Sequence, residues 1–304
     1  MSGCFLRLKM RKLIGLSILG AVLLLIPAAG SSAPLQLKDA TGTSFRFSSP
    51  PQRIVSLAPS ITESLYQLGA GERIVGVTIF ADVPAEVRKK AKVGTMLDPS
   101  LERIVSLNPD LVLITQEGNS LQTMDSLRRL GIKVFVIGES RDFSDIKEHF
   151  LLLGKIVGQE KRAGQIVKEA SGIIAAVRKE VSPLPLVRVF WQVWPHPLFT
   201  VAKGTFIDQL IRMAGGINIV HEAKIRYPRY SREAVIEKNP QVIILTAGGK
   251  ESTKRQKEEW RRFHLRARIY RVDPNLVDRP IPLSFAKGLA EVARRIHPEA
   301  FEQR

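Results

Sequence analysis

Residues 100–115 read SLERIVSLNPDLVLIT, and residues 231–246 read SREAVIEKNPQVIILT. Aligned, they share Ser100 with Ser231, Glu102 with Glu233, Asn108 with Asn239, Pro109 with Pro240 and Thr115 with Thr246. In each, Ser-x-Glu opens a short helical pattern, Asn-Pro ends it, and a run of apolar, largely β-branched residues follows. Proline cannot continue a helix, so each unit reads as a helix feeding a buried strand. The echo predicts two lobes of like build, whether by duplication or by convergence on one local unit.

A shorter repeat misleads. The letters RIVSL occur at 53–57 and again at 103–107. The first copy is followed by APSITE, where Ser60 and Glu63 have capping-box spacing and Ile61, Leu65 and Leu68 line one face up to Gly69. That predicts a strand running into a helix. The second copy follows DPSLE, in which Asp98 or Ser100 can cap and Pro99 suits a first helical turn, so it reads as the body of a helix.

Outward from these units, strand-like runs at 53–58, 73–78, 110–115 and 133–138, and then at 186–193, 241–246 and 268–273, alternate with helical stretches. This predicts an α/β fold with largely parallel strands. Between the two sets lies a helical pattern carrying Ile146, Phe150, Leu153 and Ile156, then Ile166, Ile173, Ile174 and Val177, with Gly154, Gly158 and Gly164 permitting a bend. The expected organisation is a signal peptide over 1–33, an N-terminal α/β lobe over 34–143, a long connecting helix over 144–181 and a C-terminal α/β lobe over 182–304. The cleft between lobes is the default ligand site.

The N-terminus sets the compartment. Arg7, Lys9, Arg11 and Lys12 precede an uncharged apolar run that ends at Pro27 and small residues, the layout of a secretory signal peptide; an uncleaved anchor is the competing reading. The expected location is therefore the periplasm. The one cysteine, Cys4, lies ahead of the apolar run, so the exported part holds no disulfide and depends on its core. Lys and Arg number 46 against 29 Asp and Glu, a net charge of +17, which suits anionic surroundings such as lipid headgroups or simply a solvated surface. The basic run 254–271 reads as a solvated helix entering a strand, and no nucleic-acid partner is expected.

Catalytic signals are weak. The stretch TAGGK at 246–250 lacks P-loop spacing, histidines 149, 196, 221, 264 and 297 show no paired ligand spacing, and no Gly-x-Ser-x-Gly occurs. The chain is read as a non-enzyme with no metal site and no cofactor, a hydrolase using Asp82 or His196 being the distant alternative. Trp191, Trp194 and Phe199 cluster within 189–210, and the prolines around Trp194 place it outside a strand.

Four blocks carry a family resemblance: RIVSLAPSITESLYQLGAGERIVGVT, KVGTMLDPSLERIVSLNPDLVL, VFWQVWPHPLFTVAKGTFIDQLIRMAGGINIV and YPRYSREAVIEKNPQVIILT. Together they resemble the cobalamin-binding periplasmic proteins of ABC importers and, more broadly, binding proteins for corrinoids, haem and siderophores. The resemblance implies a monomer that delivers a corrinoid, as transported ligand, to a membrane permease. It implies ligand contacts at Phe80, Met96, Phe199, Tyr227, Asn275 and Arg279, and permease docking through Glu102 and Glu233, one carboxylate per lobe. Met96 stands where a family member can present a large aromatic, and Asn275 where an acid can occur; Trp194 is the residue expected to fill the space so left. Haem or a ferric siderophore is the alternative cargo.

Overall fold

Asn108 and Asn239 both take left-handed backbone, at φ 46° and 45°, each directly before a proline. A computed structural model of the chain describes residues 34–301, and these two kinks sit at the same place in two similar sheets. The predicted signal peptide lies outside the described residues.

In the N-terminal lobe a hairpin of β1 (Leu35–Lys38) and β2 (Ser44–Phe47) precedes five parallel strands. These are β3 (Ile54–Ser56), β4 (Ile74–Val77), β5 (Ala91–Lys92), β6 (Leu111–Thr115) and β7 (Val134–Ile137), ordered β5-β4-β3-β6-β7. Helices α1 (Pro59–Gln67), α2 (Leu101–Ser106) and α3 (Leu121–Arg129) connect them. After α4 (Phe143–Ile156) and α5 (Glu160–Val181) comes the C-terminal lobe. It holds β8 (Val187–Gln192), a small hairpin of β9 (Trp194–Pro195) and β10 (Leu198–Phe199), α6 (Phe206–Met213), β11 (Gly216–Asn218), α7 (Arg232–Lys238) and β12 (Val242–Leu245). Next come α8 (Lys250–Arg261), β13 (Arg268–Arg271), α9 (Pro274–Val277) and α10 (Pro282–Ile296). The second sheet is ordered β11-β8-β12-β13, all parallel.

The sheets superpose in order: β4-β3-β6-β7 against β11-β8-β12-β13. The strand core explains the apolar runs. In β6 Leu111 and Leu113 join one cluster while Val112 and Ile114 join another; in β12 Val242 and Ile244 face one way, Ile243 and Leu245 the other. Strands covered on both faces need no polar alternation. Each repeated unit is built alike. Ser100 Oγ accepts from the Arg103 amide and Ser231 Oγ from the Ala234 amide, both true N-caps. Arg53 Nε donates to the Asn108 carbonyl at 3.0 Å, and Arg188 Nε to that of Asn239 at 2.9 Å. The first RIVSL is thus strand β3 and the second is α2, as read from their flanks. Of the two capping candidates before α2 it is Ser100, not Asp98, that serves.

Two expectations are corrected. The Ser60–Glu63 capping box does not form: α1 starts two residues earlier, with Ala58 as N-cap and Pro59 in its first turn, and Glu63 is buried on its inner face. The connector over 144–181 is not one helix but two, α4 and α5, separated at Gly158, whose φ of 66° suits glycine and breaks the helix. The pair packs closely because Gly154 has no side chain where a Cβ would stand 2.6 Å from that of Ala163. Phe143 and Ile146 of α4 belong to the C-terminal core, whereas Phe150, Leu153 and Ile156 belong to the N-terminal one; α5 runs back from Ala163 to Ile174 and Val181. Helix α10 is a third element at the junction, its preceding residue Ile281 in the N-terminal core and Phe285 to Ile296 in the other. Among the described residues no helix is long and apolar enough to cross a membrane.

Candidate functional site

The carboxyl ends of β4, β6 and β7, with the loop leading from β3 into α1, open on a cavity of about 590 Å3, within the range of ligand pockets, about 300–1,000 Å3. This is where open α/β sheets place ligands. The N-terminal wall is Ser60, Ser64, Phe80, Met96, Glu117 and Ser140; the C-terminal wall is Phe206, Tyr227, Asn275, Asp278 and Arg279; His149 and Phe150 of α4 form the floor. Gly118 makes room for the methionine, because a Cβ there would meet Met96 Cε at 2.0 Å.

Five of the seven residues expected at the ligand therefore meet at one cavity: Phe80, Met96, Tyr227, Asn275 and Arg279. Phe80 is 57% exposed and Tyr227 39%, large apolar surfaces turned to the opening. Ile79, Leu97 and Ile225, next in the chain to Phe80, Met96 and Arg226, are also exposed. Phe199 and Trp194 do not line it. They pair with each other across the β9–β10 hairpin, and the Trp194 indole donates to the His196 carbonyl at 3.1 Å. Trp191 is fully buried in β8. The aromatic richness of 189–210 thus reflects a strand core and a hairpin.

Two arginines tie the lobes together at this site. Arg226 holds Glu139 with both terminal nitrogens, at 2.9 and 3.0 Å, and reaches Glu117 at 3.2 Å. Arg279 holds Glu63 at 3.1 Å and Asp82 at 2.6 Å. Glu63 also accepts from Ser284 Oγ at 3.0 Å, so its buried carboxylate is bonded on both oxygens. Arg279 lines the cavity, yet its guanidinium is already engaged. Asp82, the hydrolase candidate, serves Arg279; His196, the other, lies 3.4 Å from Glu259.

The cavity's remaining titratable groups are shifted toward their neutral forms. Asp278 is an exposed residue, yet desolvation of its carboxyl group pushes it up to about 7, against the pull of Arg279. Desolvation of its hydroxyl group raises Tyr227 to about 12 although the residue as a whole is exposed, and burial lowers His149, whose Nδ1 lies 3.0 Å from Ser140 Oγ. Glu117 is raised by burial despite Arg226. Desolvation penalises each charged form. The groups missed from sequence, Glu117, Glu139 and Ser140 above all, immediately follow the predicted strands 110–115 and 133–138, and the strand-end rule alone pointed to them.

Glu102 and Glu233 are the second residues of α2 and α7, in the first turn of each, both exposed, far apart in sequence but equivalent in the repeat. Among the described residues no group of three or more His, Cys, Asp or Glu is arranged to hold a metal ion.

The profile of the periplasmic binding protein family matches residues 54–268. An uncharacterised ABC transporter substrate-binding lipoprotein of Bacillus subtilis, YvrC, is 32% identical over 279 residues, 89% of this chain and 88% of its own. The vitamin B12-binding protein of Pectobacterium carotovorum is 32% identical over 64% of this chain and 71% of its own. The apo structure of the haem-binding protein RhuT of Roseiflexus matches with a TM-score of 0.73 at 24% identity, over 83% of this chain and 99% of its own, a likeness of fold.

Proposed function

From the premise that this chain belongs to the periplasmic binding protein family, we propose that it captures a corrinoid between its lobes and hands it to an ABC importer, without chemistry of its own. The observation that carries the ligand class is the cavity's charge. Both arginines are spent on carboxylates of the protein, and the polar groups Asn275, Tyr227, Ser140 and Asp278, the last with its charged form disfavoured, offer hydrogen bonds. A ring edged with amides suits such a wall, and Phe80 and Met96 supply flat and adaptable apolar contact. An anionic siderophore would meet no free cation there. Haem is the second reading, favoured by His149, Met96 and Tyr227, side chains of the types that ligate haem iron.

Titration with cobalamin and, separately, with haem tests the ligand. Cobalamin at one hundred times its dissociation constant should stabilise the fold by about 2.7 kcal/mol in thermal or chemical unfolding. Stabilisation by haem alone would move the reading to haem, and by neither would end both.

For delivery, Glu102 and Glu233 are the docking carboxylates, one on each equivalent tip. Exposed ion pairs are worth about 0–1 kcal/mol, so their part is orientation and steering. Reversing both to lysine should abolish transport in permease vesicles while leaving ligand affinity within about twofold of the parent. An equal collapse of affinity would place them in the cleft or the fold instead. The periplasm as the place of work follows from the same reading, and the N-terminal mass of exported protein checks processing of residues 1–33.

A further inference from the structure

The tip that carries Glu233 is flanked by cations with no use inside the protein. Glu259 of α8 accepts from Arg232, the residue before Glu233, and lies 3.4 Å from His196, so α8 runs beside the start of α7. Arg255 and Arg262 stand four residues before and three after Glu259 and share its side of the helix. Arg229 lines a groove of about 590 Å3 together with Glu233. All three arginines are exposed, and among the described residues none is in an ion pair. Glu251 and Glu258 are the exposed carboxylates of α8, outnumbered there by the exposed Lys254, Arg255, Arg261 and Arg262 at and just past the helix. Phe263, 37% exposed just past the helix, stacks obliquely on buried Trp260 at 6.0 Å, which fixes an apolar ring at the same end.

Spaced, unpaired guanidiniums beside an exposed aromatic match a layer of separated anionic groups over an apolar interior. We propose that this corner of the C-terminal lobe, Arg229, Arg255, Arg262 and Phe263, binds anionic phospholipid headgroups of the membrane around the permease. The protein then searches for its permease across a surface, with Glu233 held at that surface. The orientation rests on the docking reading; the lipid contact itself does not need the permease.

The test is flotation of the full chain with vesicles of phosphatidylcholine, with or without phosphatidylglycerol, and no permease. The N-terminal segment is common to every chain compared, so its contribution cancels. The parent should prefer anionic vesicles at least tenfold, losing the preference as salt rises to about 0.5 M. Each surface cation near such a membrane is worth about fivefold, so Arg229→Gln with Arg255→Gln and Arg262→Gln should lower anionic binding at least tenfold. Single reversals Arg255→Glu and Arg262→Glu keep the test open should the triple variant melt early. Equal binding of parent and variants, no preference for anionic lipid, or an effect of these residues only when permease is present would overturn the proposal, the last marking an acidic protein surface as the partner. The chain carrying Glu102→Lys and Glu233→Lys should bind vesicles as well as the parent or better while failing in transport, so the two readings fail separately.

Discussion

Asp278 is an unusual acid, an exposed residue lining the cleft whose carboxyl group is pushed up to about 7 by desolvation. An unfolded aspartate releases its proton near 3.9. Between those two values the folded chain holds a proton that the unfolded chain has lost, so this group makes stability fall as pH rises from about 4 to about 7, and the loss is complete above that. Asp278→Asn removes the titration. Melting curves should show the variant gaining on the parent as pH climbs through this window, with no difference below pH 4; a pH-independent offset would mean that the aspartate is not perturbed. Ligand binding adds to the desolvation, so cobalamin affinity of the parent should weaken above pH 7 while that of the variant stays level. Glu63 illustrates the opposite use of a carboxylate. It is buried, and Arg279, Ser284 and Gln67 all donate to it, which makes it a joint between lobes.

At the scale of elements, the repeated helix-to-strand unit is held by two small devices at its ends. Ser100 and Ser231 each satisfy one orphan amide, and replacing either by alanine should cost about 1 kcal/mol in chemical denaturation. Asn108 and Asn239 supply the left-handed turn before proline. Alanine there should cost about 1–2 kcal/mol, whereas glycine, free of the Cβ clash, should come within a few tenths of the parent. Equal costs for alanine and glycine would show that the asparagine side chain, not the backbone, matters. These effects should be nearly the same in the two lobes, since the flanking Arg53 and Arg188 hold the two turns alike.

Across the whole molecule, two arginine clamps and the helices α4, α5 and α10 span the junction of the lobes. Arg226 is on the exposed side of that junction, 36% accessible, so its loss should change global stability by less than about 1 kcal/mol. Its effect should appear in the kinetics of the cleft. Arg226→Gln is expected to release bound ligand several-fold faster in stopped-flow displacement, and to abolish the acceleration by salt that the parent shows. An unchanged rate would assign the closure to Arg279 and the helices alone.

Much of this architecture was legible in the chain. Periodicity gave the parallel strands, since residues buried on both faces must be apolar without alternation, and the Ser-x-Glu and Asn-Pro punctuation gave matching helix-to-strand units, since caps and breakers act through local backbone geometry. Resemblance of whole blocks brought Phe80, Met96, Tyr227, Asn275 and Arg279 to notice, and they share one cavity. What local patterns could not give were choices made across long sequence separations. Glu63 read as a cap because its partners Arg279 and Ser284 lie more than two hundred residues away; the connector read as one helix because the folding back of α5 on α4 depends on Gly154 meeting Ala163. Phe199, which the same resemblance named, and Trp194, expected to fill the space beside it, stand on the β9–β10 hairpin and do not line the cavity, because neither cue reveals which way a hairpin turns. Local backbone chemistry is written in adjacent residues, whereas a cleft's charge is decided by which distant carboxylates reach each arginine first.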